Sequence, residues 1–213
     1  MTDILKISPM EIEKKSFEII TEELGEKILD SEQAPIIKRV IHTSADFEYA
    51  DNLYFSPDAI EQAKKALTHG AHIVTDTKMA MAGINKKSLS KLGCTIDCFI
   101  QDEDVAEQAK AKDVTRASVS VDKAMEYSDN LIYVVGNAPT ALIRLKELMD
   151  KGNIPPKLII GVPVGFVNVV AAKELIIESG CPCIVSRGRK GGSNVAAAIV
   201  NALLYIVDES RGM

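Results

Sequence analysis

The feature that most constrains this chain is a change of rhythm at residue 71. From there on, short apolar runs alternate with stretches of helical period. Residues 71–75, 94–100, 131–135, 157–162 and 182–186 read as buried strands. Helical stretches follow them at 85–93, at 103–110 and 120–127, to 149 after a turn at 136–140, through about 179, and at 193–207. Five strands, each followed by a helix, imply an α/β protein with a mostly parallel sheet covered on both faces. Right-handed crossovers make this a three-layer α/β/α sandwich with a Rossmann-like sheet of about five strands. Ligands of such folds bind beyond the carboxyl ends of the strands.

Those ends carry loops of distinctive composition. Asp76-Thr77-Lys78-Met79-Ala80-Met81-Ala82-Gly83-Ile84 is too apolar for a solvent loop. It either packs into the core or lines a pocket for a large flat ligand, with methionines as adaptable contacts. Arg187-Gly188-Arg189-Lys190-Gly191-Gly192-Ser193-Asn194 joins three basic side chains to three glycines just before a helix start. Fixed N–H donors, the helix dipole and cations together suit a carboxylate or phosphate, and a generic basic turn is the alternative. The turn lacks the order of a Walker A loop, and no dinucleotide fingerprint follows the first strand. Thr115-Arg116-Ala117-Ser118 sets one arginine among small residues, as an exposed charge or a carboxylate fork.

Before residue 71 the chain reads as helical. Ser8-Pro9-Met10-Glu11 is a capping box with proline at the first helical position. The helix it opens runs to about Gly25 and buries Ile12, Ser16, Phe17, Ile20 and Leu24. Ser16 is an odd hydroxyl on that stripe, either bonded back to its own helix or contacting a ligand. A second helical stretch, 32–41, delivers His42 within Arg39-Val40-Ile41-His42-Thr43-Ser44-Ala45-Asp46-Phe47-Glu48-Tyr49, and Ser56-Pro57-Asp58 caps a third helix reaching about Gly70. The chain has three histidines, and this one sits beside two hydroxyls with two carboxylates close behind. An imidazole titrates nearest neutrality and suits proton transfer; a helix-terminal histidine packed for structure is the bland alternative.

Length and composition set the outer bounds. The 213 residues fit one domain spanning 1–213, with 46% hydrophobic and 26% charged residues. A net charge of -5, no tryptophan and no basic run interleaved with aromatics argue against a nucleic-acid partner. The longest apolar run, 158–172, is interrupted by Pro163 and Asn168 and is too short to span a bilayer. Met1-Thr2-Asp3-Ile4-Leu5-Lys6 lacks the pattern of an export signal, so a soluble, cytoplasmic protein is expected. Cys94, Cys98, Cys181 and Cys183 do not have zinc-knuckle spacing and read as buried reduced thiols, with metal binding as the alternative.

Four long segments, taken together, resemble the precorrin-8X methylmutases of cobalamin (vitamin B12) biosynthesis. They are Ile36-Ile37-Lys38-Arg39-Val40-Ile41-His42-Thr43-Ser44-Ala45-Asp46-Phe47, Gly136-Asn137-Ala138-Pro139-Thr140-Ala141-Leu142, Gly161-Val162-Pro163-Val164-Gly165-Phe166-Val167, and the run from Gly188 to Leu204. The resemblance implies an isomerase that moves a methyl group from ring carbon C11 to C12 of precorrin-8 or its cobalt form, giving hydrogenobyrinate or cobyrinate. It implies a homodimer with sites near the subunit interface, a tetrapyrrole-derived polycarboxylate substrate that either carries cobalt or does not, and no cofactor or metal required by the protein itself. The family's catalytic histidine falls on His42, its substrate-contacting serine on Ser16 and its arginine on Arg116. Thr43, Asn85, Asn137, Arg189, Lys190, Gly191, Gly192 and Ser193 complete the expected substrate contacts, and Thr43, Ser44 and Asp46 are expected to orient the imidazole. Two departures stand out: Asn85, where the family can place a threonine, and Asn168-Val169-Val170-Ala171-Ala172-Lys173, where several relatives carry an acidic residue. A non-catalytic corrinoid carrier and a Rossmann-like enzyme acting on a phosphorylated substrate are the rival readings.

Overall fold

The computed structural model describes residues 8–126 and 129–209. Residues 1–6, discussed above for export, and the end of the helix expected to reach Tyr127 lie outside these. Six strands form one sheet: β1 (Leu53–Phe55), β2 (His72–Thr75), β3 (Thr95–Asp97), β4 (Leu131–Val135), β5 (Leu158–Gly161) and β6 (Cys183–Ser186). Their spatial order is β1-β6-β5-β4-β2-β3, all parallel except β1, which runs antiparallel to β6 with Leu53 opposite Ser186. Every residue of β4 and β5 is buried, as expected of central parallel strands covered on both faces.

Alternate strand residues feed two cores. Ile73, Ile132, Val134, Leu158, Ile160 and Ile184 face one helical layer, while Val74, Leu131, Tyr133, Val135, Ile159 and Val185 face the other. The first layer contains α2 (Ala34–Ser44), α4 (Ala59–Thr68), α5 (Lys78–Gly83), α6 (Lys86–Lys91) and α11 (Ser193–Asp208). Helix α1 (Pro9–Leu24) packs on α2, and the short α3 (Tyr49–Asn52) leads into β1. The second layer contains α7 (Glu103–Lys112), α8 (Arg116–Met125), α9 (Pro139–Asp150) and α10 (Val169–Ile177). The three-layer α/β/α arrangement expected from the alternation is therefore present, with one strand more. Among the described residues, no helix is long and apolar enough to cross a membrane.

Several boundaries differ from expectation for local reasons. Strand β1 is only three residues long, too short to display a period, and owes its conformation to β6. The apolar loop after β2 contains helix α5, capped by Thr77 Oγ1, which accepts from the Ala80 N–H at 3.1 Å. Helix α2 runs past Ile41 to Ser44 and closes on Ala45 in the left-handed region, so His42 lies in its last turn. Helix α8 begins at Arg116, not Ser120, because Thr115 caps it by accepting from the Ser118 N–H. The stretch 94–100 contributes only β3 before turning into a 3-10 helix at Phe99–Gln101. On α1, Ile20 is buried but Ile12 is 50% exposed, because that helix packs on the flank of the sandwich and not inside it. The four cysteines are free and buried; burial pushes the Cys181 thiol up to about 12 and Cys183 to about 11. Among the described residues, no three His, Cys, Asp or Glu side chains group as a metal site would require.

Two glycines allow the chain to close over the carboxyl edge. A Cβ on Gly136 would meet Ser193 Cα at 2.8 Å and Ala196 Cβ at 3.2 Å, so α11 starts directly against the end of β4. A Cβ on Gly191 would meet the Val162 carbonyl oxygen at 2.1 Å, and the Gly192 N–H donates to that same oxygen at 2.8 Å. The basic turn is thereby pinned to the exit of β5. Gly136→Ala is expected to destabilise the protein by about 1–3 kcal/mol through this overpacking, seen as a lower urea midpoint at unchanged slope; an unchanged midpoint would refute the close approach.

Candidate active site at the carboxyl edge of the sheet

Four loops meet at this edge, tied together by hydrogen bonds. Asp76, directly after β2, is buried, and its carboxylate accepts N–H bonds from Gly136 (2.9 Å), Asn137 (2.8 Å) and Ala138 (2.8 Å). Burial raises its pKa above the ordinary carboxylate range, while the three N–H donors pull the other way by favouring the charged form. The exposed Asn137 side chain is presented just before α9. Thr140, in the first turn of α9, lies 2.8 Å from Thr115 through their hydroxyls, and this brings the exposed Arg116 at the start of α8 to the same rim. Ser193 joins from above, its hydroxyl 2.8 Å from Thr77 Oγ1.

The basic turn is less free than its composition suggests. Lys190 Nζ pairs with Asp46 Oδ2 at 2.6 Å and with Glu48 Oε2 at 3.0 Å, which raises its pKa and lowers that of Asp46. Arg187 lies 3.5 Å from Glu174 and over the Tyr54 ring. Arg189 is exposed, stacked over Phe166 at 5.4 Å, and has no carboxylate partner among the described residues. Beneath the turn lies Lys173 of α10, fully buried, whose Nζ donates to the carbonyls of Gly188 and Lys190, both at 2.8 Å. Burial pushes its pKa down to about 8. Ser186 Oγ donates to the same Lys190 carbonyl at 2.8 Å.

His42 sits on the flank of this turn, four residues before the Asp46 that holds Lys190. Its exposed imidazole stacks on Phe17 of α1, with ring centroids 5.4 Å apart and planes 22° from parallel. Arg39 lies over Phe17 at 4.7 Å and over Tyr205 at 5.2 Å, and pairs with Glu13. Tyr205 OH in turn accepts from Asn85 Nδ2 at 3.1 Å, so a continuous stack runs from Asn85 to His42. Asn85 itself is committed: its Oδ1 caps α6 by accepting from Lys87 and Ser88, and its N–H donates to Asn201. Ser16, beside Phe17, bonds back to the Ile12 carbonyl at 2.9 Å. The exposed Thr43 is free to face solvent. Ser44 bonds back to Val40 at 2.7 Å and Asp46 is held by Lys190, so among the described residues neither of these orients the imidazole.

The expected site residues thus fall into three adjoining groups. His42, Thr43, Ser16 and Asn85 lie along one flank; Arg116 and Asn137 share the far rim; Arg189, Lys190, Gly191, Gly192 and Ser193 bridge the two, through Asp46 on one side and Thr77 on the other. Asp76, Phe17, Arg39 and Lys173 escape sequence reasoning as site residues. The signal for Asp76 is an acid directly after a buried strand, and for Lys173 it is a lone cation within the apolar run of α10. A groove of about 670 Å³ lies elsewhere, at the second helical layer. Its principal charges are satisfied within the chain, Lys123 by Asp102 and Asp104, and Arg144 by Asp122 and Glu147. The candidate site is an open rim with basic groups facing outward, suited to a broad ligand with anionic arms.

Comparison with known proteins identifies a family. Residues 11–206 match the family model described as CbiC, precorrin-8X methylmutase. The cobalt-precorrin-8 methylmutase of Priestia megaterium is 46% identical over 96% of this chain and 91% of its own length. That of Salmonella typhimurium strain LT2 is 47% identical over 95% of this chain and 97% of its own. The crystal structure of precorrin-8x methyl mutase from Thermus thermophilus superposes with a TM-score of 0.86 at 36% identity, covering 93% of this chain and 98% of that one.

The buried Lys173 has a measurable consequence. Folded, it releases its proton near pH 8; unfolded, it does so at its ordinary 10.5. Between those values the unfolded chain binds more protons, so on this group's account stability rises with pH across that window. Relative to Lys173→Met, the wild type is expected to gain up to about 3 kcal/mol between roughly pH 7 and pH 10.5. Urea midpoints of both proteins would show it, and a difference independent of pH would rule out a desolvated ammonium.

Proposed function

Since the chain belongs to the precorrin-8X methylmutase family, isomerases of cobalamin biosynthesis, we propose that it moves a methyl group from C11 to C12 of precorrin-8, with His42 as general acid. The observation that carries this reading is the exposed imidazole of His42, held against Phe17 on the flank of the outward-facing basic turn. Protonation of the macrocycle by the imidazolium gives the ring positive character that draws the migrating methyl; the imidazole then takes a proton back, so the mass is unchanged. The shift oxidises and reduces nothing, and the reading therefore asks for no cofactor from the protein. Both curated relatives above are named for cobalt-precorrin-8, which favours the cobalt-bearing substrate and cobyrinate as product. The four buried free thiols suit a reducing cytoplasm.

The remaining groups bind and orient. Arg189 and Arg116 take carboxylate arms of the substrate, Asn137 donates a hydrogen bond, and Thr43 and Ser16 offer hydroxyls near the imidazole. Asn85 acts indirectly, through Tyr205 and the stack behind His42. Met79 at 71% exposure and Phe166 at 81% offer apolar surface to a flat ring. A homodimer belongs to the same reading: the open rim and the exposed Val164, Phe166, Val167 and Val170 leave a face for a second copy to complete the site.

His42→Ala is expected to lower turnover by at least about 100-fold while melting behaviour and product affinity stay near wild type. Incubation with precorrin-8, with and without cobalt, followed by the visible spectrum and mass, would read it out; wild-type turnover in the mutant would end the general-acid role. Arg116→Ala is expected to weaken ligand binding by about 1.5–3 kcal/mol, leaving the rate of the bound complex largely intact. Unchanged affinity would remove Arg116 from the site.

A further inference from the structure

Lys173 does more than fill the core beneath the basic turn. It reaches from α10 to the carbonyls of Gly188 and Lys190, two residues apart, and holds both at 2.8 Å. Both carbonyls therefore point inward, at the buried ammonium. The peptide bonds are trans, and in a planar trans peptide the N–H points opposite to the C=O. The N–H groups of Arg189 and Gly191 consequently point away from Lys173, and neither has a hydrogen-bond partner among the described residues. At the two ends of the turn the backbone is tied down: the Arg187 N–H donates to Asn52 and the Gly192 N–H to Val162. Two outward donors on alternate residues, flanked by an arginine without a carboxylate partner, make a concavity for an anion.

We propose that Lys173 is the positioning residue of this anion seat: its grip on the Gly188 and Lys190 carbonyls turns the Arg189 and Gly191 N–H groups outward to receive one carboxylate arm of the substrate. The identity of the arm's owner rests on the methylmutase reading; the geometry of the seat does not. A lysine suits the task because a single ammonium can donate to both carbonyls at once. Its charge also lies on the far side of the same peptide units, where it adds to the attraction for an anion. Lys190, already paired with Asp46 and Glu48, contributes little to that attraction.

The test uses the full chain with Lys173→Met and Lys173→Gln, the second keeping amide N–H donors without the charge. In the absence of ligand, amide hydrogen exchange of the peptide spanning 187–193 is expected to accelerate in both variants, while exchange in the β4 and β5 peptides stays unchanged. With precorrin-8, KM is expected to rise about tenfold in Lys173→Met and less in Lys173→Gln, with kcat close to wild type. Exchange unchanged in the turn overturns the positioning role, as does a kcat loss at constant KM, or failure of both variants to fold, which would make Lys173 a stability residue alone. A wild-type protein inactive on precorrin-8, yet showing the exchange change on substitution, would sink the methylmutase reading and leave the seat standing.

Discussion

Helix α11 can begin where it does only because residue 136 has no side chain. Its first turn lies against the end of β4 at a distance that a single methyl group would violate, and the rest of the architecture is hung from that contact. The helix is apolar nearly all round, with ten buried residues from Val195 to Tyr205, and α2, α4, α5 and α6 pack around it. Its N-terminus sets the height of the basic turn above the sheet. Near its other end, Tyr205 supports Arg39, which supports Phe17, which faces His42. One helix thus links the basic turn to the imidazole.

The site is held by groups that do not themselves reach outward. Asp76 gathers three backbone N–H groups of the loop after β4, Lys173 gathers two carbonyls of the loop after β6, and Thr77 joins Ser193. The two buried charges are complementary devices. An acid organises donors and a base organises acceptors, and each meets its desolvation cost through backbone partners in place of a counter-ion. The side chains left exposed, His42, Thr43, Arg116, Asn137 and Arg189, are those free to meet a ligand.

What could be read from the sequence was whatever a short window determines. The parallel strands announced themselves as apolar runs, and the loops at their ends as clusters of glycine and basic residues. The helix caps at Thr77, Asn85 and Thr115 follow from hydroxyl and amide chemistry within three residues. Long-range partnerships were not legible. Strand β1 is defined by β6, far along the chain, and Asp76 by a loop sixty residues away. The demotion of Lys190 from free cation to ion-pair member depends on Asp46 and Glu48, which no local pattern connects to it. Asn85 illustrates the same point: the resemblance implied a ligand contact there, and its surroundings make it a cap and a prop for Tyr205.

The sheet ends, on both sides, in strands of three residues: β1 beyond β6 and β3 beyond β2. Such margins expose too few backbone donors and acceptors to template another strand. A second copy of the chain would find no ribbon to extend, so the homodimer proposed above would rest on side chains. The exposed apolar side chains Val164, Phe166, Val167 and Val170 adjoin the basic turn, where Arg189 stacks on Phe166. In the proposed homodimer, association and ligand capture would draw on the same few loops, and a change in one would be felt by the other.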